Sequence, residues 1–175
     1  MNLPPQREPQ IAIPATPRKE VPAIISHSAD ETMEIGAAWG REARAGWLIG
    51  LSGELGAGKT QLVKGLARGL GVTSGVYSPS FALVNEYQGG RLPLFHLDLY
   101  RLETPAQMLA AGLEEDLFHP AGVTVVEWIE RWFIPNSELP GRQRGSAGAH
   151  RFLRWVRIGG ISPTERRITY EDFGD

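Results

Sequence analysis

The chain has 175 residues, with 18 Lys and Arg against 20 Asp and Glu, and no cysteine. This length suits one domain that buries a core without crosslinks, and the near-balanced charge excludes a global field that would hold nucleic acid or an anionic membrane. The absence of cysteine excludes a disulfide framework, a thiolate nucleophile and a thiolate metal site. Because no apolar run approaches the roughly 18 residues of a membrane span and the N-terminus lacks the apolar core of a signal peptide, the expected location is the cytoplasm.

Residues 1–22 hold six of the 13 prolines with mixed charge and few large apolar side chains, so they read as a disordered tail outside the fold. A single domain is expected over 23–175. Val21 to Ser26 is a short strand candidate, and Ser28-Ala29-Asp30-Glu31 spells a capping box that opens a helix running to about Arg44. That helix is expected to turn Met33, Ile35, Ala38 and Trp39 toward the core. Trp47 to Leu51 reads as a buried strand, and Gln61 to Leu70 carries apolar residues at helical spacing, with Gly69 to Gly71 placed to end that helix.

Val72 to Ser80 is too irregular for a regular element. Phe81 to Tyr87 and Leu92 to Leu99 are β-rich runs joined by Gln88-Gly89-Gly90-Arg91, so an antiparallel hairpin is expected. Alternation along its second strand puts Leu94, His96 and Asp98 on one face and Phe95, Leu97 and Leu99 on the other. Thr104-Pro105-Ala106-Gln107 opens a short helix that stops near Gly112, and Leu113 to Phe118 reads as a further helical turn. Val123 to Glu127 is a short apolar run ending in a carboxylate, the pattern of a central parallel strand. Pro135 to His150 is expected to be a surface loop. Two closing strands, Phe152 to Ile158 and Glu165 to Tyr170, complete the chain.

Between the Trp47 strand and the Gln61 helix lies Gly53-Glu54-Leu55-Gly56-Ala57-Gly58-Lys59-Thr60. Two glycines four residues apart, the second followed by Lys and a hydroxyl residue, match the phosphate-binding loop, and strand, loop and helix come in the order the motif requires. Glycine at 53, 56 and 58 lets successive backbone N–H groups turn toward an anion, and the helix N-terminus adds its positive end. Lys59 would reach the β- and γ-phosphates, and the Thr60 hydroxyl would ligate the Mg²⁺ that bridges them. The fold class is therefore α/β, a three-layer P-loop NTPase-like sandwich whose mixed central sheet contains an antiparallel hairpin.

Turnover also needs a metal-coordinating acid and a group that places water. Glu127 and Asp98, each ending an apolar strand, compete for these roles, because strand ends of such sheets face the ligand crevice. His96 reads equally as a half-buried ring satisfied by the backbone.

Gly53 to Thr60, Ser78-Pro79-Ser80-Phe81, His96-Leu97-Asp98-Leu99-Tyr100-Arg101 and Val126-Glu127-Trp128 with Glu130, in this order and spacing, resemble the TsaE family. That family is the small bacterial ATPase subunit of the machinery that makes threonylcarbamoyladenosine in tRNA. The resemblance implies ATP and Mg²⁺ as ligands, with Thr60 and Glu127 on the metal. Gly56 to Gln61, including Ala57 and Gly58, would hold the phosphates, and Asp98 would place water or a switch segment. Ser78 to Phe81 would form the switch-like loop, where this chain has Ser80 and relatives usually have Thr. It also implies Arg167 and Thr32 near the nucleotide, and TsaB and TsaD as partners, with tRNA reached only through that complex. Ile129 departs from the Pro or small residue of many relatives. Two alternatives remain at this level: a small nucleoside or metabolite kinase, disfavoured because the only arginine-rich loop comes late, and a nucleotide-gated interaction module whose hydrolysis is incidental.

Overall fold

The computed structural model describes residues 11–13, 23–113, 121–131, 133–135 and 152–174. The elements in chain order are β1 (Ile11–Ile13), β2 (Ile24–Ser26), α1 (Ala29–Glu42), β3 (Trp47–Ser52), α2 (Lys59–Leu70), β4 (Val84–Tyr87), β5 (Leu94–Asp98), α3 (Pro105–Ala110), β6 (Val123–Glu127), β7 (Phe133–Pro135), β8 (Phe152–Gly160) and β9 (Arg166–Gly174). A 3₁₀ turn at Ile129–Arg131 follows β6.

The main sheet runs in the order β2-β9-β8-β3-β6-β5-β4. Its centre is parallel, β3 pairing with both β6 and β8 and β6 with β5. Antiparallel strands close both sides, β4 on β5 and β9 on β8, with β2 antiparallel to β9 at the far edge. The mixed sheet and its hairpin are as the sequence predicts.

One face of the sheet buries Ile49, Leu51, Leu94, Val123 and Val125 against Leu62, Val63 and Leu66 of α2 and Trp39 of α1. Each fully buried leucine contributes about 2 kcal/mol, and these contacts anchor α2 and therefore the loop before it. The opposite face buries Leu48, Leu97, Val126, Leu153 and Trp155 under Leu99, Leu102, Leu113 and Ile129. Gly50 lets the 3₁₀ turn close down, because a Cβ there would lie 2.7 Å from Ile129 Cγ1.

Ser28 caps α1 by accepting from the Glu31 amide, while Glu31 reaches back to the His27 amide. The buried face of α1, however, is Thr32, Gly36, Ala37, Trp39 and Gly40. Of the expected core residues, Trp39 is buried, Met33 and Ile35 are half-buried, and Ala38 is exposed. The reason is a glycine interface with α2. A Cβ on Gly36 or Gly40 would lie 2.2 Å from the Leu62 or Leu66 carbonyl oxygen, and one on Gly65 or Gly69 would lie 2.0 or 2.2 Å from that of Met33 or Ala37. The two backbones touch where a hydrophobic pattern leaves no mark.

Two further differences have local causes. The hairpin begins at Val84 rather than Phe81, because Leu83 takes φ +67° and its amide closes a turn onto the Pro79 carbonyl at 2.7 Å. Phe81 is 85% exposed. Within the tail expected to be disordered, Ile11–Ile13 pairs in parallel with Phe133–Pro135, Ile-Ala-Ile setting two β-branched residues among the prolines. The rest of that tail through residue 22, the turn expected at Leu113 to Phe118 beyond its first residue, and the loop from 136 to 150 lie outside the described residues. No helix among the described residues is long and apolar enough to cross a membrane.

Candidate functional site

The loop from Gly53 to Thr60 leaves the C-terminal end of β3 and enters α2. Gly53, Gly56 and Gly58 have φ of +143°, +77° and +103°, the region that L side chains avoid. Gly58 is the N-cap of α2, so the first free N–H groups of the helix face into the loop. Lys59 is 4% exposed and donates from Nζ to the Gly53 and Glu54 carbonyls at 2.6 and 2.9 Å. Its ammonium also sits 3.8 Å over the Trp128 ring, an attraction strengthened by desolvation. Burial lowers the Lys59 pKa below 10.5, opposed by the charges of Glu127, Glu130 and Asp98. Trp128 holds φ +63°, a conformation that costs about 1–2 kcal/mol in a non-glycine residue and here sets the ring over Lys59.

The two strand-end carboxylates lie directly opposite each other, Asp98 of β5 in register with Glu127 of β6. Both are 3% exposed. Glu127 Oε1 accepts from Thr60 Oγ1 and lies against His96 Nε2, each at 2.9 Å. Asp98 Oδ2 accepts from Ser78 and Ser80 at 2.7 and 2.6 Å, and its Oδ1 accepts from the Tyr100 amide at 3.0 Å. Asp98 thus ties the 78–80 segment to the strand end, and Glu127 ties the start of α2 to β6.

Two pockets flank the loop. One, of about 370 Å³, is lined by residues 56–61, Ser78, Ser80, Asp98, Glu127 and Trp128. The other, of about 330 Å³, is lined by Ser28, Thr32, Thr164 and Arg166 and shares Gly56, Gly58 and Gln61 with the first. Thr32 is 1% exposed; its hydroxyl bonds to Ser26 Oγ at 2.7 Å and donates to the Ser28 carbonyl at 3.1 Å. Beside this pocket, the His27 ring holds Glu165 below the usual carboxylate range.

The predicted site residues Gly56, Ala57, Gly58, Lys59, Thr60, Gln61, Ser80, Asp98 and Glu127 therefore share one pocket, and Thr32 lines its neighbour. Gly53 lies behind the loop, where a Cβ would meet the Ile158 carbonyl at 2.2 Å. Arg167 lines neither pocket and is exposed on β9. Its neighbour Arg166 reaches the loop, donating from Nε to the Ala57 carbonyl at 2.9 Å and from Nη1 to the Ser162 and Glu165 carbonyls at 3.0 and 2.9 Å. Successive strand residues face opposite ways, so the parity of β9 separates the two arginines. Alternation places His96 on the same face as Asp98, yet its partner is Glu127 rather than the backbone, which only the register of β5 on β6 reveals.

Among the described residues no group of three or more His, Asp or Glu gathers as a metal site. The oxygen donors of Thr60 and Glu127 in contact nevertheless suit a hard cation that takes one carboxylate and draws its other ligands from water and phosphate, as Mg²⁺ does.

The family model described as "Threonylcarbamoyl adenosine biosynthesis protein TsaE" matches residues 26–147. The chain belongs to the TsaE family. Among relatives named tRNA threonylcarbamoyladenosine biosynthesis protein TsaE, that of Nostoc sp. is 48% identical over 111 residues, covering 62% of this chain and 68% of that protein. The Synechocystis relative is 53% identical over 93 residues, 49% of this chain and 56% of its own, and the Bacillus subtilis relative 46% identical over 99 residues, 57% and 61%. The matched segments thus span about three fifths of the length of these three relatives. The crystal structure of Bacillus subtilis YdiB is similar with a TM-score of 0.65 and 31% identity, covering 89% of this chain and 87% of that one.

Proposed function

We propose that this TsaE-family chain binds and hydrolyses ATP with Mg²⁺, and that the cycle drives a TsaB–TsaD pair in forming threonylcarbamoyladenosine in tRNA, the carbamoyl transfer itself being performed elsewhere. The observation that carries this reading is Thr60 Oγ1 bonded to Glu127 Oε1 at 2.9 Å on one wall of the phosphate-loop pocket. It brings the two oxygen ligands expected of such a site together from elements 67 residues apart.

In this reading the N–H groups of residues 56–61 cradle the phosphates, and Lys59 exchanges its loop carbonyls for phosphate oxygens. Thr60 and Glu127 would hold Mg²⁺, which when bound would neutralise charge on the phosphate oxygens. Asp98 orients the attacking water or releases the 78–80 segment, whose Ser78 and Ser80 hydroxyls it holds. The second pocket, sharing Gly56, Gly58 and Gln61 with the first, supports placing the base and ribose between Thr32 and Arg166.

Reconstitution with TsaB and TsaD, scoring ATP hydrolysis and tRNA modification in parallel, tests the proposal. Lys59→Ala and Glu127→Ala are each expected to abolish turnover and modification together. Full modification by a variant that binds ATP without hydrolysing it would instead establish a nucleotide-gated module. A phosphorylated small-molecule product would establish a kinase.

A further inference from the structure

His96 is a buried polar side chain beside the site to which the phosphate-loop chemistry gives no role. It is 0% exposed, at mid-strand in β5, in register with Asn85 of β4 and Val125 of β6. Its Nε2 lies 2.9 Å from Glu127 Oε1, while its Nδ1 is buried without a hydrogen-bond partner. The same Oε1 accepts from Thr60 Oγ1, and with that oxygen as the acceptor here too the proton of this contact sits on Nε2. The ring leaves Nδ1 buried without a partner, a deficit that an apolar side chain of similar size would avoid. The position therefore carries a polar penalty on one edge and keeps a single polar contact on the other, and that contact is to Glu127.

We propose that His96 is a positioning residue: its Nε2–H fixes the Glu127 carboxylate in the rotamer that meets Thr60, presetting the pair of oxygen ligands for a divalent cation. The inference rests on the reading of Thr60 and Glu127 as cation ligands. A ligating carboxylate is itself oriented by hydrogen bonds, and loss of such a partner lowers metal affinity about 10- to 100-fold. Nucleotide held by the backbone cradle and Lys59 does not depend on it.

The test is Mn²⁺ uptake, followed by electron paramagnetic resonance with a non-hydrolysable ATP analogue present, alongside analogue affinity in EDTA. His96→Phe is expected to weaken Mn²⁺ binding about tenfold with analogue affinity in EDTA unchanged. His96→Gln, whose amide nitrogen reaches the place of Nε2, is expected to restore most of it. Equal Mn²⁺ affinity in wild type and His96→Phe overturns the inference, as does equal loss of analogue affinity in EDTA by both variants. Should His96→Phe not fold, the ring ¹⁵N spectrum of the wild-type chain decides, with His96 assigned by its absence in His96→Gln. An Nε2-protonated ring supports the proposal and an Nδ1-protonated ring overturns it. Wild-type protein that takes up no Mn²⁺ with the analogue fails the cation-site reading itself, a result distinct from failure of His96 alone.

Discussion

Replacing Gly65 by alanine should destabilise the fold, although alanine is the better helix former. A Cβ at this position would lie 2.0 Å from the Met33 carbonyl oxygen, 2.7 Å from its carbon and 2.8 Å from its Cα. All three atoms are backbone, so no rotamer change relieves the contact. Carbon–oxygen contacts settle near 3.3 Å, so α1 and α2 must separate by about 1 Å. Overpacking of this kind costs up to about 3 kcal/mol, and exchanging glycine for alanine in a helix returns about 1 kcal/mol, leaving a net loss of about 2 kcal/mol. At about 2–4 °C per kcal/mol for a chain of this size, the midpoint of thermal unfolding should fall by about 4–8 °C. Circular dichroism melts of Gly65→Ala are to be compared with Gly159→Ala, whose Cβ would meet nothing within 4 Å and which should melt close to wild type. The displaced α2 also carries Lys59 and Thr60, so nucleotide affinity should fall with stability. A Gly65→Ala protein melting at or above wild type would refute the reasoning, because helix propensity would then outweigh the clash.

Other substitutions probe the site directly. Glu127→Gln should retain ATP binding while lowering turnover by at least about 100-fold, the scale seen on removing a group that stabilises transition-state charge, checked by phosphate release and equilibrium binding on one preparation. Lys59→Ala removes charge-assisted donors that contribute about 1.5–3 kcal/mol each, so ATP affinity by calorimetry should weaken at least about tenfold. Arg166→Ala should weaken nucleotide binding by loosening the loop it holds at Ala57, whereas exposed Arg167→Ala should leave binding unchanged and stability within about 0.5 kcal/mol; the reverse order would restore Arg167 to the site. The double change Ser78→Ala with Ser80→Ala removes both hydroxyls that Asp98 Oδ2 accepts, and hydrogen exchange at Ser80 and Phe81 should accelerate.

Where a residue's role is set by its neighbours in sequence, the chain was readable. The capping box at Ser28, the left-handed glycines of the loop, the alternation of Leu94, His96 and Asp98 and the strand-end position of Glu127 all depend on local chemistry. The departures arise where tertiary contact decides. The helix face of α1 is drawn by Gly36 and Gly40 meeting the α2 backbone, and glycine contributes nothing to a hydrophobic pattern. The start of the hairpin depends on the left-handed turn at Leu83, a residue type that gives no warning of positive φ. Arg166 and Arg167 carry the same chemistry, and only the register of β9 distinguishes them. The contact of His96 with Glu127 spans 31 residues and follows from the order in which the strands pair.

The pairing of Asp98 with Glu127 across adjacent parallel strands also predicts where this chain tolerates changes of length. Deleting or inserting one residue between Val123 and Glu127 would turn the carboxylate to the face occupied by Leu97 and Val126, away from Thr60, with every functional side chain still encoded. A change of two residues would restore the face but carry the carboxylate about 7 Å along the strand, beyond reach of the same hydroxyl. Insertions and deletions should therefore be excluded from β6 far more strictly than point substitutions at its apolar positions, and length variation among functional versions of this chain should fall in its connecting segments.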